Sequence, residues 1–347
     1  MILPREGEPR YILGIESSCD ETAAAVVEGG RRICSNVVAS QIEIHSRYGG
    51  VVPEIASRRH LEQINAIIEQ ALAGARLTLK ELDAIAVSHG PGLVGALLVG
   101  VSTAKALAYA ARLPLLAVNH VEAHLYANFL TGAGIRYPLV ALIASGGHTT
   151  LLLMPEPDKI VALGQTRDDA AGETFDKVAR AMDLGYPGGP QIDRLAATGR
   201  RDAVEFPRAY LGEGTPFDFS FSGLKSAVIN HLHHLRQTKK EPYLPDLAAS
   251  FQEALVEVLV GKTIAAAKRY SAASVLLAGG VAANSRLRTL MRARLSKKLP
   301  AVPLYFPPPA LCTDNAAMIA AAADPLYRKG LFASLDLNAF ASLPPGR

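Results

Sequence analysis

In the stretch NHVEAH, His120 and His124 stand four residues apart. On an α-helix such a pair lies roughly 40° apart around the axis, so both imidazoles can face one metal ion. They can equally be two histidines that share a helix face. Glu122 sits two residues after the first histidine, roughly 200° around the same helix. The zinc-protease motif HExxH puts its glutamate directly after the first histidine, so Glu122 points away from any ion the pair holds and cannot be that base. A metal needs further ligands, and Asp314 in CTDNAAMIA is a candidate from the other half of the chain. It opens an alanine-rich helix, where it is either a helix cap or a third ligand. Two histidines and an aspartate, with positions left open, would suit catalytic iron or zinc.

Glycine-rich turns offer a second kind of chemistry. SHGPGLVG and LLAGGVAANSRLR each read as a strand end, a tight turn and a helix start, where backbone amides can meet a phosphate or ribose. Each is equally a plain strand-to-helix turn. The hairpin turns IESSCDET and IASGGHTT recur at matching places in the two halves. They would point the hydroxyls and amides of Ser17, Ser18, Ser145, Gly146, Gly147 and Thr149 into a cleft from opposite sides. A clamp for an adenylate or polyphosphate is their natural use. GxxxxGK[ST] does not occur, which disfavours a P-loop site. Asp176 and Asp193, beside glycines, suit ribose hydroxyls or a plain helix surface; Lys177 and Lys225 suit phosphate or solvent.

YILGIE, TAAAVV and RRICSNVVAS read as three strands of an antiparallel meander. A helix follows from about Pro53 with Leu61, Ile64, Ile68 and Leu72 on one face. Strand DAIAVSHG, helix LVGALLVGVSTAKALAYAA, strand LLAV and the histidine helix complete a βββαβαβα unit. The plan restarts near residue 138 with PLVALIASGGHTTLLLM and KIVALGQT. A long amphipathic helix (PDLAASFQEALVEVLVGKTIAAAKRY), SVLLAGG, NSRLRTLMRARLS, VPLYF and a last helix follow. The two Ser turns are about 128 residues apart and the two glycine turns about 189, so the second half carries insertions, with 185–222 and HHLRQTKKEP as candidates. A duplicated α/β chain of this plan predicts two lobes around a central cleft.

At 347 residues, 49% apolar and 20% charged, the chain has the composition of a well-buried globular protein of two lobes. Cys19, Cys34 and Cys312 are odd in number and form no CxxC, which indicates neither a disulfide framework nor a zinc ribbon. The charged, proline-containing start and the lack of an uncharged apolar run of about 18 residues predict a cytoplasmic protein without a membrane partner. The net charge of +4 is mild, but Arg58-Arg59, Arg200-Arg201, Lys239-Lys240 and the helix from Arg286 through Arg288, Arg292, Arg294, Lys297 and Lys298 form basic clusters. They are either solvated faces or contacts for a polyanion.

Together GIESSCDET, GGVVPEIASRRH, SHGPGLVGALLVG, NHVEAH, SGGHT, DDAAGETFDKVAR, YPGGPQID, FSFSGLKSAV, LAGGVAANSRLR and CTDNAAMIA, in order over residues 11–325, resemble the TsaD family of the Kae/Qri/YgjD group. The resemblance implies a duplicated actin-like (ASKHA, ribonuclease H-like) fold. One lobe would span 1–135 plus the returning helix in 315–347, and the other 136–314. It implies transfer of threonylcarbamoyl from threonylcarbamoyl-AMP to N6 of adenosine 37 in tRNAs reading ANN codons, which makes t6A and releases AMP. It further implies metal ligands His120, His124 and Asp314, holding one divalent ion per subunit, Fe2+ favoured and Zn2+ possible. Substrate contacts fall at Ile143, Ala144, Ser145, Gly146, Gly147, Asp176, Gly189, Asp193 and Asn284. The implied partners are tRNA, the adenylate, and the TsaB and TsaE subunits, with a homodimer possible in isolation. Glu16, His89 and His148 are base candidates by motif position only. Two rival readings stay open: an ATP-dependent small-molecule kinase of the same superfamily, and a non-catalytic scaffold like TsaB.

Overall fold

The apolar segment YILGIE forms a strand covered on both faces; the structure, a computed structural model, describes residues 10–131, 134–209, 216–239 and 241–346. This strand, β1 (Tyr11–Glu16), pairs antiparallel with β2 (Glu21–Glu28), and β2 pairs with β3 (Arg32–Ser40). On its other side β1 runs parallel to β4 (Ala84–Gly90), which runs parallel to β5 (Leu115–Asn119). The second sheet contains β6 (Leu139–Ala144), β7 (Thr149–Glu156), β8 (Lys159–Gln165), β9 (Ser274–Ala278) and β10 (Leu304–Tyr305). The sheet orders β3-β2-β1-β4-β5 and β8-β7-β6-β9-β10 are the same, as the expected duplication requires.

The first half carries helices α1 (Ile42–Ser46), α2 (Pro53–Ala75), α3 (Val94–Ala111) and α4 (His120–Tyr126). The second carries α5 (Ala171–Ala181), α6 (Gly188–Ala196), α7 (Ser222–Gln237), α8 (Leu244–Arg269), α9 (Ser285–Lys298) and α10 (Ala316–Arg328). The two-residue period of the strands sorts them into layers. Leu13, Ile15, Ala24 and Val26 face α2 and α3 in one core. Ile12, Ala23, Ala25 and Val27 face the other way, into a core shared with Leu139, Ala141 and Ile143 of the second sheet and with the apolar residues of α4 and α10. Val140, Leu142 and Ala144 turn toward α5 to α9. The helices that follow β5 and β10 therefore lie between the two sheets, and each is the counterpart of the other in the duplication.

Four expectations change. The short helix α1 was not anticipated. The buried face of α2 is Ala56, His60, Ile64, Ile67, Ile68 and Ala71, whereas Leu61 is 69% exposed, because His60 takes the inward position. Helix α8 is buried on every side from Leu247 to Val256 rather than amphipathic, since α6, α7, α9 and the sheet enclose it. The extra material of the second half begins earlier than 185, at α5, and runs through α7. Among the described residues α3 alone is long and apolar enough to cross a membrane, but Val101, Ala104 and Ala108 are buried and pack in the first-lobe core.

Candidate active-site cleft

The sequence VNHVEAH starts its helix at once because Asn119 caps it: the Asn119 side-chain oxygen accepts from the backbone N–H of Val121 and of Glu122. His120 and His124 thus occupy successive turns of a helix whose other side is locked into the shared core. Asp314 lies just before α10, and it is Asn315, not Asp314, that caps that helix, by accepting from Met318 N–H. The Asp314 Oδ1 stands 3.2 Å from His124 Nε2 and 3.6 Å from His120 Nε2. One ligand atom from each of the three residues falls within 4.8 Å of the others. The short His124 to Asp314 approach lacks hydrogen-bond geometry, and both His124 ring nitrogens are buried without a hydrogen-bond partner among the described residues. Two imidazole nitrogens and a carboxylate oxygen aimed at one point fit a divalent cation, which satisfies all three together.

Behind His120, Glu16 at the end of β1 is fully buried and places Oε2 2.9 Å from Nδ1, while Ser18 Oγ lies 3.1 Å from the same nitrogen. Glu16 Oε1 also accepts from Ser18 N–H. A carboxylate on the far ring nitrogen fixes the orientation of a ligating imidazole. Burial opposes charge on His120, but Glu16 and Asp314 outweigh it and push its pKa up to about 9. Burial likewise would raise the Asp314 carboxyl, yet the neighbouring imidazoles hold it well below the usual range. The pocket is arranged for positive charge, supplied by a proton or by a cation. His148, from the β6–β7 turn of the other lobe, faces His120 at 6.2 Å between ring centres. Burial, then the charges of His120 and His124, lower its pKa to about 4.

The paired serine turns do not behave alike. Strand alternation turns Ser17 away from the cleft, and its hydroxyl donates to the Ala96 carbonyl of α3. Thr149 is also buried and accepts from Ala171 N–H. Only Gly146 and Gly147 stand exposed, beside Ser145, whose hydroxyl accepts from His148 N–H. Ile143 and Ala144 have side chains in the two cores, so only their backbone is available to a ligand.

The two glycine turns differ too. In the first lobe, Gly92 N–H donates to Ala341 O and Leu93 N–H to Ser18 O, while the backbone of Phe340 covers Gly90. The C-terminal segment has filled that turn, and His89 packs edge-on against Phe340 rather than against the histidine cluster. In the second lobe Gly279, at φ 85°, lets the turn pass against the Ala144 carbonyl, and a Cβ on Gly280 would meet nothing within 4 Å. That turn is open.

Around it stand the acids. Asp176 Oδ1 accepts from Gly188 N–H, next to Gly189. Burial, with Asp20 across the cleft adding to it, raises the Asp176 pKa to about 6. Asp193 accepts from Ser285 N–H and from Ser285 Oγ, which ties α6 to the start of α9. Asn284 caps α9 through Leu287 N–H and donates to Gln252. Lys177 and Lys225 converge on Asp169, at 2.6 and 2.5 Å, and Lys177 also meets Glu173.

The basic helix also reads differently once folded. Arg286 makes a paired contact with Glu253, Arg294 meets Glu257, and Arg288 lies 4.3 Å over the Phe306 ring and bonds to the Ala282 and Pro307 carbonyls. Arg292, Lys297 and Lys298 remain exposed. Arg58 and Arg59 pair with Glu54 and Glu62 of their own helix, contacts that contribute only a few tenths of a kcal/mol. Lys240 lies outside the described residues. Sequence reasoning missed Arg180 and Tyr186; the second sits in YPGGPQID, where the glycines and Asp193 drew attention instead. Burial, then the charges of Asp20 and Asp176, raise the Tyr186 phenol well above its ordinary range.

Such a duplicated unit, with its matching helices stacked between two sheets and a cation-binding constellation at their meeting point, defines an actin-like two-lobed α/β protein with a candidate metal centre in its cleft. Solved structures agree on the fold. HypF in its phosphate- and nucleotide-bound form superposes with a TM-score of 0.62 at 14% identity, over 93% of this chain and 57% of HypF. Component A of the Acidaminococcus fermentans (R)-2-hydroxyglutaryl-CoA dehydratase gives 0.54 at 12% identity, over 93% and 99%. Residues 32–321 match the family model TsaD, tRNA N6-adenosine threonylcarbamoyltransferase. Proteins of that name from Geobacillus thermodenitrificans and Moorella thermoacetica are 59% and 56% identical, covering 97% and 96% of both chains in each pair. The chain belongs to the TsaD family.

Proposed function

We propose that this chain transfers the threonylcarbamoyl group of threonylcarbamoyl-AMP to N6 of adenosine 37 in tRNAs reading ANN codons, forming t6A and releasing AMP. The observation that carries the reading is the convergence of His120, His124 and Asp314 within 4.8 Å between the lobes of a TsaD-family chain. These three residues would hold one divalent ion, Fe2+ favoured and Zn2+ possible. Such an ion supplies Lewis-acid polarisation of the acyl phosphate.

The remaining work belongs to the chain. The open turn at Gly280, with Gly189, Asp176, Asp193 and Asn284 around it, is the place for the adenosine of the adenylate; the exposed amides of Gly146 and Gly147 are the place for its acyl and phosphate oxygens. In the reaction a bond forms between N6 and the carbamoyl carbon, the bond from that carbon to the phosphate oxygen breaks, and N6 loses a proton. Of the base candidates, Glu16 is committed to His120 and His89 to the C-terminal segment, so His148 is the better placed to take the proton. TsaB and TsaE are the partner proteins of this reading, a self-paired dimer is its form in isolation, and the cytoplasm is its compartment. The lobe boundaries follow 135/136 and 314/315, with α10 packed on β1, β2, β4 and β5 of the first sheet.

Nucleoside analysis of tRNA after incubation with threonylcarbamoyl-AMP, the partner proteins and metal-loaded chain tests the proposal. Wild type should form t6A, and His124→Ala should lose at least about 100-fold in rate together with its bound metal. Unaltered turnover and metal content in the variant would discard the assigned centre.

A further inference from the structure

One segment at the cleft mouth is left without a task by this account. The chain between Gln41 and Val52 is built on His45, which is fully buried. The His45 Nε2 lies 3.2 Å from Gln41 Oε1, its Nδ1 accepts from Val52 N–H, and its carbonyl accepts from Tyr48 N–H and Gly50 N–H. Gln41 N–H in turn donates to Asp20 O, two residues from the Ser18 that meets His120. The stem is therefore rigid and tied to the site, while the tip is not covered: Tyr48 is 59% exposed and Arg47 is exposed beside it. Gly49 and Gly50, both at positive φ, bring the tip against the second lobe. A Cβ on Gly49 would lie 3.3 Å from Arg180 Nε, and one on Gly50 3.0 Å from Arg180 Nη2. No salt bridge holds Arg47 or Arg180 among the described residues, although the Arg180 charge acts on Asp176.

An exposed aromatic ring with an exposed guanidinium beside it in the chain and another against the same loop, on a fixed stem tied to the cleft, matches the demands of single-stranded RNA. A base that must bring its exocyclic amine into a pocket has to leave its stack, and its neighbour then needs a new stacking face. An aromatic side chain provides that face without regard to sequence, and flanking cations hold the phosphates on either side. We propose that Tyr48 stacks on the nucleotide next to the target adenosine, with Arg47 and Arg180 gripping the adjoining phosphates from the two lobes. This inference rests on the tRNA reading above and assigns the RNA its point of entry.

The test uses the metal-loaded full chain in the complete reaction, varying tRNA and threonylcarbamoyl-AMP separately. Tyr48→Ala should raise KM for tRNA about tenfold with kcat within about twofold, and Tyr48→Phe, which keeps the ring, should restore it. Arg47→Ala and Arg180→Ala should each flatten the slope of log KM for tRNA against log salt by roughly 0.7 to 0.9. KM for threonylcarbamoyl-AMP should stay at the wild-type value in all four. A tRNA KM that does not move, a failure of phenylalanine to rescue, an equal rise in both KM values, or a loss confined to binding of a partner protein would each overturn the inference while leaving the transferase reading intact. A wild type that forms no t6A would remove the activity and this inference with it.

Discussion

His120 presents Nδ1 to Glu16 and Ser18 and Nε2 to Asp314, so its ring plane is set before any ion arrives. Removing the charge behind it should matter even though Glu16 is not itself one of the metal-binding residues: Glu16→Gln is expected to weaken divalent-metal affinity about 10- to 100-fold in a chelator competition titration. Asp176 makes a pH prediction. Because burial holds its pKa at about 6, the folded chain keeps a proton that the unfolded chain releases near pH 4. The stability this contributes is full below about pH 4 and is lost as pH rises through about 6. Urea unfolding of Asp176→Asn across that range should show the decline flattened relative to wild type, and an undiminished slope would assign it to another group.

Helices α4 and α10 deliver the ligands as a pair, and a glycine lets α10 pack closely on β1. A Cβ at Gly14 of β1 would come within 2.4 Å of the Ala316 carbonyl and 2.8 Å of the Ala320 nitrogen, both backbone atoms of α10 that cannot yield. Gly14→Ala should therefore cost about 1 to 3 kcal/mol in urea unfolding and lower metal affinity at the same time, because α10 carries Asp314 with it. Gly146→Ala, where nothing lies within 4 Å, should leave unfolding unchanged and provides the control. All ten strands and most of the long helices were legible in the sequence, since period-2 strands and capped apolar helices announce themselves locally, whereas α1, α5, α6 and α7 were not. Two buried faces were not legible either. The inward position of α2 is held by His60, whose Nδ1 meets Thr22 Oγ1 at 2.8 Å and whose Nε2 meets Cys19 O at 3.0 Å, so an apolar count selected Leu61 in its place. The burial of α8 depends on the neighbours α6, α7 and α9, which its own pattern does not record.

Across the whole molecule the duplication is structural but not functional. The two halves share their sheet order, yet the C-terminal segment closes the glycine turn of the first and leaves that of the second open. That segment also secures α4. Asn119 donates to Leu343 O, and Glu122 Oε1 accepts from Gly346 N–H, so the glutamate that is misplaced for proteolysis pins the chain end. A Cβ on Gly346 would approach Ile160 O of β8 at 2.9 Å, which puts the same segment against the second sheet. Ending the chain at Asn338 should lower stability by about 1 to 3 kcal/mol in urea unfolding, through the hydrogen bonds at His89, Gly92, Asn119 and Glu122 that it leaves unmade.

What the sequence determined by itself was whatever depends on near neighbours or on ordered motifs: the repeated βββαβαβα plan, the histidine pair on one helix face, the glycine turns, and membership of a family whose motifs run through the chain in order. Folding decided everything that joins distant positions. Asp314 meets His120 and His124 only because α10 returns between the sheets beside α4. Ser17, Lys225 and most of the arginines of α9 are occupied by partners far along the chain, and the Arg180 guanidinium reaches the Tyr48 loop from the other lobe. The physical reason is that a side chain's free chemistry is what remains after its tertiary contacts are made, and no local pattern encodes which contacts those are.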